Sequence, residues 1–480
     1  MSTFKLLIFW LTFQVLAWYF APIFIFGAFV PFFYLLEKEQ KHKETFIYIF
    51  ILLWNVIVVF WLCEINMLKG LETFFMNSLV MCVPIWVVLR LKKRFSFIPV
   101  VGLLLPLWLI VEYLHHHWFL GFPWLTLGNV FGQTPKYVQW YTYTGVLGGS
   151  VWVLCGNYLI FRVIQTPIPK SLSPAGKGTL KTKYNFIFVG LLTIFVPALF
   201  SLFLLEKTKN TYPKPPNIIF MQTSWDNKVL TDNEKVAQII QLITPLLTQE
   251  TEYILLPEAV FSQVIWASEI KQTVLYLKMK NILQKYPNLK IIFGATLQKV
   301  VPKNVNALYL DKLNLFYEKY NVAIQIDNTE NIQIKYKEIF VPIDECVPFW
   351  LRFVPFESEF LSVPAQNNHS LSSFSNTIKN KNQEKQTVFL GICYEMINSF
   401  FVNKHVKQED KAILMLSSES FMKTTNIGRQ QYLNICKLRS IETQKYIIKS
   451  SYKGIACVIS PQGELLNFAL QHEQKAMTNK

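Results

Sequence analysis

Seven apolar runs crowd the first 205 residues, at about 4–20, 22–36, 45–63, 75–90, 96–113, 139–163 and 184–205. Each is near the length that crosses a bilayer as a helix. A chain with this pattern cannot fold as a single water-soluble globule. The stretch 4–36 is too long for one crossing and is broken at Ala21-Pro22, so it reads as a tight pair. It is not a cleaved leader, because membrane runs keep following and no small-residue cleavage site is evident. Beyond residue 205 the composition changes to one rich in Lys, Asn, Gln and Ser, as in a water-exposed domain.

The loop charges orient the runs. Lys38, Lys41 and Lys43 follow the second run, Arg90, Lys92, Lys93 and Arg94 the fourth, and Lys170, Lys177, Lys181 and Lys183 the sixth. Every second loop is basic, which places those loops in the cytoplasm. The seventh run then exits to the outer face, and everything after it is expected there. The net charge of +16 is explained in large part by this topology and does not call for a nucleic-acid partner. A basic surface also suits anionic lipid.

Two features of the outer loop at 114–138 stand out. Gly121-Phe122-Pro123-Trp124-Leu125-Thr126-Leu127-Gly128-Asn129 is apolar yet non-helical. Such backbone needs protein or headgroups around it, and it reads as part of a lipid-facing floor or as a plain interfacial loop. His115-His116-His117, beside Trp118, reads as an interfacial anchor rather than a metal site. The seven cysteines (Cys63, Cys82, Cys155, Cys346, Cys393, Cys436 and Cys457) include no CxxC pair, so neither a disulfide framework nor a zinc site is expected. No metal or cofactor is expected.

From Asn217 the chain alternates strand-like and helix-like runs, an α/β pattern. Strands are expected at 217–222, 253–256, 290–294, before Cys393, and at 412–416, 446–450 and 456–459. Helices are expected at 233–248, 270–286 and 430–443, and a hairpin at 306–317. The polar, breaker-rich stretch 365–386 reads as an exposed insertion.

Cys393 closes the apolar run Val388-Phe389-Leu390-Gly391-Ile392, where a strand ends and the chain turns. Strand ends open into clefts, so this thiol is placed to be a nucleophile, although a buried structural cysteine also fits the pattern. The histidines of this half, His369, His405 and His472, sit poorly for a Cys–His dyad. Glu258 ends the strand Tyr253–Leu256 and can serve as a base. Lys337 can favour thiolate and neutralise an oxyanion, and Glu345, eight residues on, can hold it. Each of these, taken alone, is compatible with a surface charge.

Together they resemble the nitrilase superfamily, whose members carry a Glu–Lys–Cys triad on an αββα sandwich. With the membrane part, the chain resembles that superfamily's membrane-anchored branch, the apolipoprotein N-acyltransferases. The resemblance rests on Pro257-Glu258; on Lys337 to Val341-Pro342 and Glu345, with Phe340 where the family has Leu; and on Gly391-Ile392-Cys393-Tyr394-Glu395. Lys437–Thr443, Ser460–Glu464, Gly121–Gly128 and Gln139–Ser150 also match family patterns. Two loops depart from them: Ser417-Ser418-Glu419-Ser420-Phe421 and Ser450-Ser451-Tyr452-Lys453-Gly454.

The resemblance implies an N-terminal helical membrane domain of about seven spans at 1–205, a linker at 206–216 and a nitrilase-like αββα domain at 217–466. A polar tail follows at 467–480, without the family's last membrane helix. It implies Glu258 as general base and acid, Lys337 as oxyanion stabiliser and Cys393 as nucleophile, with Glu345, Tyr394 and Glu395 in support. It further implies transfer of an acyl chain from a phospholipid, phosphatidylethanolamine being expected, to the N-terminal S-diacylglyceryl-cysteine of a lipoprotein. The enzyme would be a monomer in the cell inner membrane with its catalytic domain in the periplasm. Two other readings stay open here: a membrane-tethered amidase, and a non-catalytic envelope paralogue.

Overall fold

The computed structural model describes the chain except residues 1–2, 38–40, 96–99, 119–120, 168–173, 210, 227–228, 259, 262–263, 304–306, 330, 343–344, 346–372, 380–384, 423–424 and 480. Side chains are also left out at 100–101, 174–178, 373–379 and 385–386. Lys38, Lys170, Cys346, His369 and most of the stretch 365–386 therefore lie outside the described residues, as does the side chain of Lys177. The chain forms two compact units: residues 1–210 with 424–442, and residues 211–423 with 443–480.

The first unit is helical: α1 (Thr3–Tyr19), α2 (Ile25–Ala28), α3 (Val30–Glu37), α4 (Lys43–Val59), α5 (Leu62–Ile65), α6 (Met67–Arg94), α7 (Val100–His115), α8 (Tyr141–Gln165) and α9 (Pro174–Lys207). Three helices are long and apolar enough to cross a membrane, Met67–Arg94, Tyr141–Gln165 and Thr179–Lys207, and three shorter apolar helices accompany them. Phe188, Leu191, Phe195, Leu199 and Phe203 of α9 are all exposed. A helix showing aromatic and aliphatic side chains over its surface is built for a hydrocarbon solvent. Asn66 caps α6 by accepting from the N–H groups of Leu68 and Lys69. The run 22–36 breaks between α2 and α3, and the Phe29 N–H at the break donates to Asn157 Oδ1 of α8 at 2.8 Å.

The apolar loop 121–133 is corrected from its expected role. It is coiled into 3-10 turns at Pro123–Leu125 and Leu127–Gln133 and is almost wholly buried in protein rather than turned to lipid. Its backbone is satisfied from within the unit. Leu127 N donates to Glu112 Oε1 at 2.9 Å, Phe122 N to His115 Nδ1 at 3.1 Å and Gly128 N to Ser150 Oγ at 3.2 Å. His115 and His116 are likewise buried, and only His117 is exposed, so His115 pins a loop instead of anchoring at an interface. Non-helical backbone in apolar surroundings demands such partners, and side chains of α7 and α8 supply them.

The second stretch of this unit is α13 (Asn426–Thr443). Gln431 accepts from Trp61 Nε1 at 3.1 Å and from Trp124 Nε1 at 2.9 Å, and donates to the Val58 carbonyl at 2.9 Å. Glu442 accepts from Val146 N at 2.8 Å. That N–H is free because Gly145, at φ 63°, interrupts α8 in a conformation that only glycine adopts cheaply. An acid at the restarted helix end meets the exposed amides and the positive end of the dipole.

The second unit is α/β. Its elements are β1 (Ile218–Thr223), α10 (Asp232–Ile243), β2 (Tyr253–Leu255), β3 (Ile265–Trp266), α11 (Val274–Lys285), β4 (Lys290–Val300), β5 (Leu308–Leu310), β6 (Leu315–Ile326) and β7 (Ile332–Tyr336). There follow β8 (Ser373–Lys379), β9 (Lys385–Ile392), α12 (Ser399–His405), β10 (Asp410–Ser418), β11 (Ile447–Tyr452), β12 (Ala456–Ile459), β13 (Leu465–Ala469) and β14 (Lys475–Thr478). The strands join in the order β5-β6-β4-β2-β1-β11-β10-β9-β8, with β7 on β6. The expected hairpin is present, with Leu308 opposite Tyr317. Two stretches differ from expectation. Ser373–Lys379, within the expected insertion, is a strand beside β9. Lys475–Thr478, within the expected tail, pairs antiparallel with β1.

Strand periodicity sorts the core into two faces. Ile219, Ile254, Ile291, Phe293 and Ile324 pack with Val236 and Ile239 of α10 and Leu275 and Met279 of α11. The alternate residues, Ile218, Phe220, Leu255 and Ile292, join Val388, Leu390, Leu414 and Leu416 from the far half of the sheet. The sheet therefore curls so that its halves face each other. Lys335 on β7 meets Glu395, just past β9, at 2.5 Å although their strands sit at opposite ends of the order. Helix α12 lies on the outer side, with the Phe401 ring 6.4 Å from Phe389. The layering is α-β-β-α, as the family resemblance implied. Burying each of the larger aliphatic side chains stabilises this core by about 1.5–3 kcal/mol.

Gly294 marks the tightest point in the fold near Glu258. Its N–H donates to the Pro257 carbonyl at 3.1 Å, and a Cβ there would lie 2.4 Å from Glu258 Cα. Gly294→Ala should thus displace backbone, at a cost of about 1–3 kcal/mol. The check is the thermal midpoint of the detergent-solubilised protein, and an unchanged midpoint would show that this approach is not tight.

Candidate active site

Four side chains from three strand ends and one loop converge in the second unit. Glu258 follows β2, held there by Leu256 N donating to the Ile292 carbonyl at 2.8 Å. Lys337 follows β7, its N–H donating to the Asn321 carbonyl at 2.9 Å. Glu345 is fixed by accepting from Val341 N at 2.8 Å. Cys393 follows β9 with φ 43°. A non-glycine residue in that region carries strain that the surrounding structure must hold, and the strained turn directs the thiol out of the strand.

Lys337 Nζ sits 3.1 Å from Glu258 Oε1 and 2.6 Å from Glu345 Oε1. Lys337 is 1% exposed, Glu345 7% and Glu258 9%. Burial is the largest single influence on Lys337 and opposes its charge. The two carboxylates, with a smaller contribution from Cys393, outweigh it and hold the ammonium protonated well above the usual lysine range. Glu345 is pushed up by burial and by Glu258, with Lys337 pulling the other way. One cation thus serves two acids. Burial first, and then the Glu258 carboxylate, push the Cys393 thiol well up, with Lys337 partly offsetting them. At rest the thiol is neutral and needs a base to become a nucleophile.

Several groups that orient this set carry no obvious sequence signal. Asn321 Nδ2 donates to Glu258 Oε1 at 2.8 Å and reaches Glu345 Oε1 at 3.4 Å. Ser418 N donates to Glu258 Oε2 at 3.0 Å, and the Ser418 carbonyl lies 3.9 Å from Cys393 Sγ. Glu395 is fully buried and accepts from Ile392 N and Glu338 N, each at 2.8 Å, and from Lys335. It ties the Cys393 turn to the segment carrying Lys337. Tyr394 is buried beside the site, its phenol pushed up by burial and then by Glu345 and Cys393. His405 contacts the Phe401 carbonyl of its own helix through Nδ1, and His472 is exposed, beside Gln471. The six described cysteines are all free thiols. The candidates Glu258, Lys337, Glu345, Cys393, Tyr394 and Glu395 thus lie together. A neutral thiol, a carboxylate to take its proton and a fixed ammonium for a developing oxyanion can carry out acyl transfer through a thioester.

Lys335 and Glu395 form a buried pair whose rupture leaves a lone charge. Lys335→Ala should destabilise the protein by about 3–5 kcal/mol, measured by thermal or denaturant unfolding. A loss below about 1 kcal/mol, the range of an exposed pair, would contradict the pair's role in holding the Cys393 turn.

A family model described as the apolipoprotein N-acyltransferase N-terminal domain matches residues 7–159. Curated relatives carrying the name apolipoprotein N-acyltransferase match most of the chain. The protein from Chlorobaculum tepidum is 24% identical over 89% of this chain and 80% of its own length. That from Aquifex aeolicus is 25% identical over 75% of this chain and 71% of its own. That from Pasteurella multocida is 23% identical over 78% and 67%. Among solved structures, Saccharomyces cerevisiae Nit3, a member of the nitrilase superfamily, aligns over 56% of this chain and 90% of its own, at 16% identity and a TM-score of 0.36.

Proposed function

We infer that the chain belongs to the apolipoprotein N-acyltransferase family and moves a fatty acyl chain from a phospholipid to the N-terminal amine of a lipoprotein. The single observation that carries the chemistry is Lys337, buried between Glu258 and Glu345 within electrostatic reach of the neutral Cys393 thiol. Similarity to proteins of that name over most of the chain supports the substrate class.

In the first half-reaction Glu258 takes the Cys393 proton as Sγ attacks the ester carbonyl carbon of the phospholipid. The C–S bond forms and the carbonyl electrons move to oxygen, where Lys337 meets the oxyanion. Collapse breaks the ester C–O bond. Glu258 returns its proton to the leaving alkoxide, so a lysophospholipid departs and an acyl-thioester remains on Cys393. In the second half-reaction the α-amine of an S-diacylglyceryl-cysteine attacks the thioester carbon, and its proton passes by way of Glu258 to the released thiol. The product is an amide, and the enzyme returns to its starting state. Glu345 holds Lys337 against the pull of the oxyanion, and Glu395 and Tyr394 hold the turn that presents Cys393.

The helical unit is the membrane anchor. We place it in the inner membrane with about seven spans over 1–205, on the charge pattern of its loops. The residues after α9 then lie on the periplasmic side, joined by the linker 206–216, and work as a monomer. Phosphatidylethanolamine is the proposed donor, and no cofactor takes part.

Cys393→Ala should abolish the acyl-thioester trapped when membranes are fed phospholipid with a labelled acyl chain, and persistent labelling in that variant would sink the assignment. Lys337→Met should slow thioester formation by about 10²–10³-fold, the cost of removing an oxyanion donor. Glu258→Gln should leave the thiol protonated and unreactive across neutral pH.

A further inference from the structure

The two loops that depart from family pattern, 417–421 and 450–454, are bound to each other. Glu419 and Lys449 are both fully buried and form an ion pair. Glu419 Oε1 also accepts from Ser451 Oγ at 3.0 Å and Ser417 Oγ at 3.2 Å, and the two serines share a hydrogen bond of 3.0 Å. Glu419 N donates to the Tyr452 carbonyl at 2.9 Å, which continues the β10–β11 register of Ser418 opposite Tyr452. The network is closely packed, since a Cβ on Gly454 would lie 2.3 Å from Glu419 Cδ.

This network has no assigned part in the chemistry, but it brackets a residue that does touch the reacting groups. Ser418 lies between Ser417 and Glu419, both of whose side chains are committed to it. The Ser418 N–H holds Glu258 Oε2, and its carbonyl faces Cys393 Sγ. Lys337 and Asn321 both hold Glu258 Oε1. The Ser418 amide therefore sets the rotation of the carboxylate and leaves its remaining lone pairs for the thiol proton. A shift of the 417–419 backbone turns the base and opens the gap to the thiol together.

We propose that Glu419 is a positioning residue: anchored by Lys449, Ser417 and Ser451, it fixes the Ser418 peptide so that Glu258 is aimed at Cys393. The proposal rests on the reading of Glu258 and Cys393 as base and nucleophile. It gives the acid of the altered 417–421 loop a task that its sequence does not suggest. A base turned away from the thiol slows the chemical step without weakening lipid binding, so the signature is a lower maximal rate at an unchanged half-saturating phospholipid concentration.

The test measures thioester formation on the full-length protein in phosphatidylethanolamine vesicles, as rate against phospholipid concentration, with the thermal midpoint alongside. Glu419→Gln leaves Lys449 buried without its counter-charge and can fail to fold, so the deciding variant is the double change Glu419→Leu with Lys449→Met. Apolar replacement of a buried pair keeps or raises stability. The expected result is a folded protein whose thioester forms about 10- to 100-fold more slowly at saturating phospholipid, with the half-saturating concentration unchanged. Glu419→Asp with Lys449→Arg, a shorter acid with a longer base, should recover most of the maximal rate. A wild-type maximal rate in the apolar double variant, or a change confined to the half-saturating concentration, overturns the proposal. So does the Asp–Arg pair, if it restores the thermal midpoint but not the rate. An absent thioester in the wild type would instead overturn the nucleophile assignment itself, before any Glu419 variant is compared.

Discussion

A buried lysine between two carboxylates sets the terms for this molecule. Lys337 is removed from water, and a charge so removed is costly unless it is paired and hydrogen-bonded. Glu258 and Glu345 supply the pairing, and each is itself held by a backbone N–H group, Glu258 by that of the distant Ser418 and Glu345 by that of Val341 in its own loop. The geometry of the second unit follows from that need. The ends of β2, β7, β9 and β10 must meet at one point, and only a sheet curled on itself brings them there. The Lys335–Glu395 pair makes the same demand on the two ends of the strand order. Ionic groups here specify which strand ends meet, a task that apolar burial, being non-directional, performs poorly.

The helical unit solves a different problem with similar means. Its apolar setting leaves no water to satisfy backbone, so every departure from helix requires a nearby side chain. Asn157 serves the break between α2 and α3, Glu112 and His115 serve the loop after α7, and Glu442 serves the interruption at Gly145. Polar residues that would be expensive among hydrocarbon chains are thus spent on irregular backbone. Gln431 does the same for indole N–H groups, taking both Trp61 and Trp124 on one oxygen.

What was legible in the sequence tracks what is local. The apolar runs, the parallel strands and the motif residues Glu258, Lys337, Glu345 and Cys393 could be read because each announces itself within a few residues. Lys335 could not, since its partner Glu395 lies 60 residues away in the chain. A faint signal existed: Ile332, Ile334 and Tyr336 occupy one face of β7, which puts Lys335 on the other face, toward the interior. Asn321 and Ser418 act through positions that only the curled sheet defines. Lys475–Thr478 looked like a tail because strand β14 is short and polar, and its place is fixed by pairing with β1 rather than by its own pattern. His115 was misjudged because a histidine run beside a tryptophan suits an interface. The structure uses the first histidine as an acceptor for a buried amide.

The neutral resting state of Cys393 also bears on survival of the thiol. Oxidants and stray electrophiles attack thiolates, and the oxidation ladder begins from that form. On the proposed mechanism, a nucleophilic cysteine kept permanently ionised beside Lys337 would be a standing target for oxidants. Here burial and the adjacent Glu258 keep the proton in place, and no second cysteine among those described is bonded to it. On the proposed mechanism, reactivity is confined to the moment when a substrate carbonyl is present to receive the electrons. The carboxylate proposed to activate the nucleophile thus also shields it between turnovers.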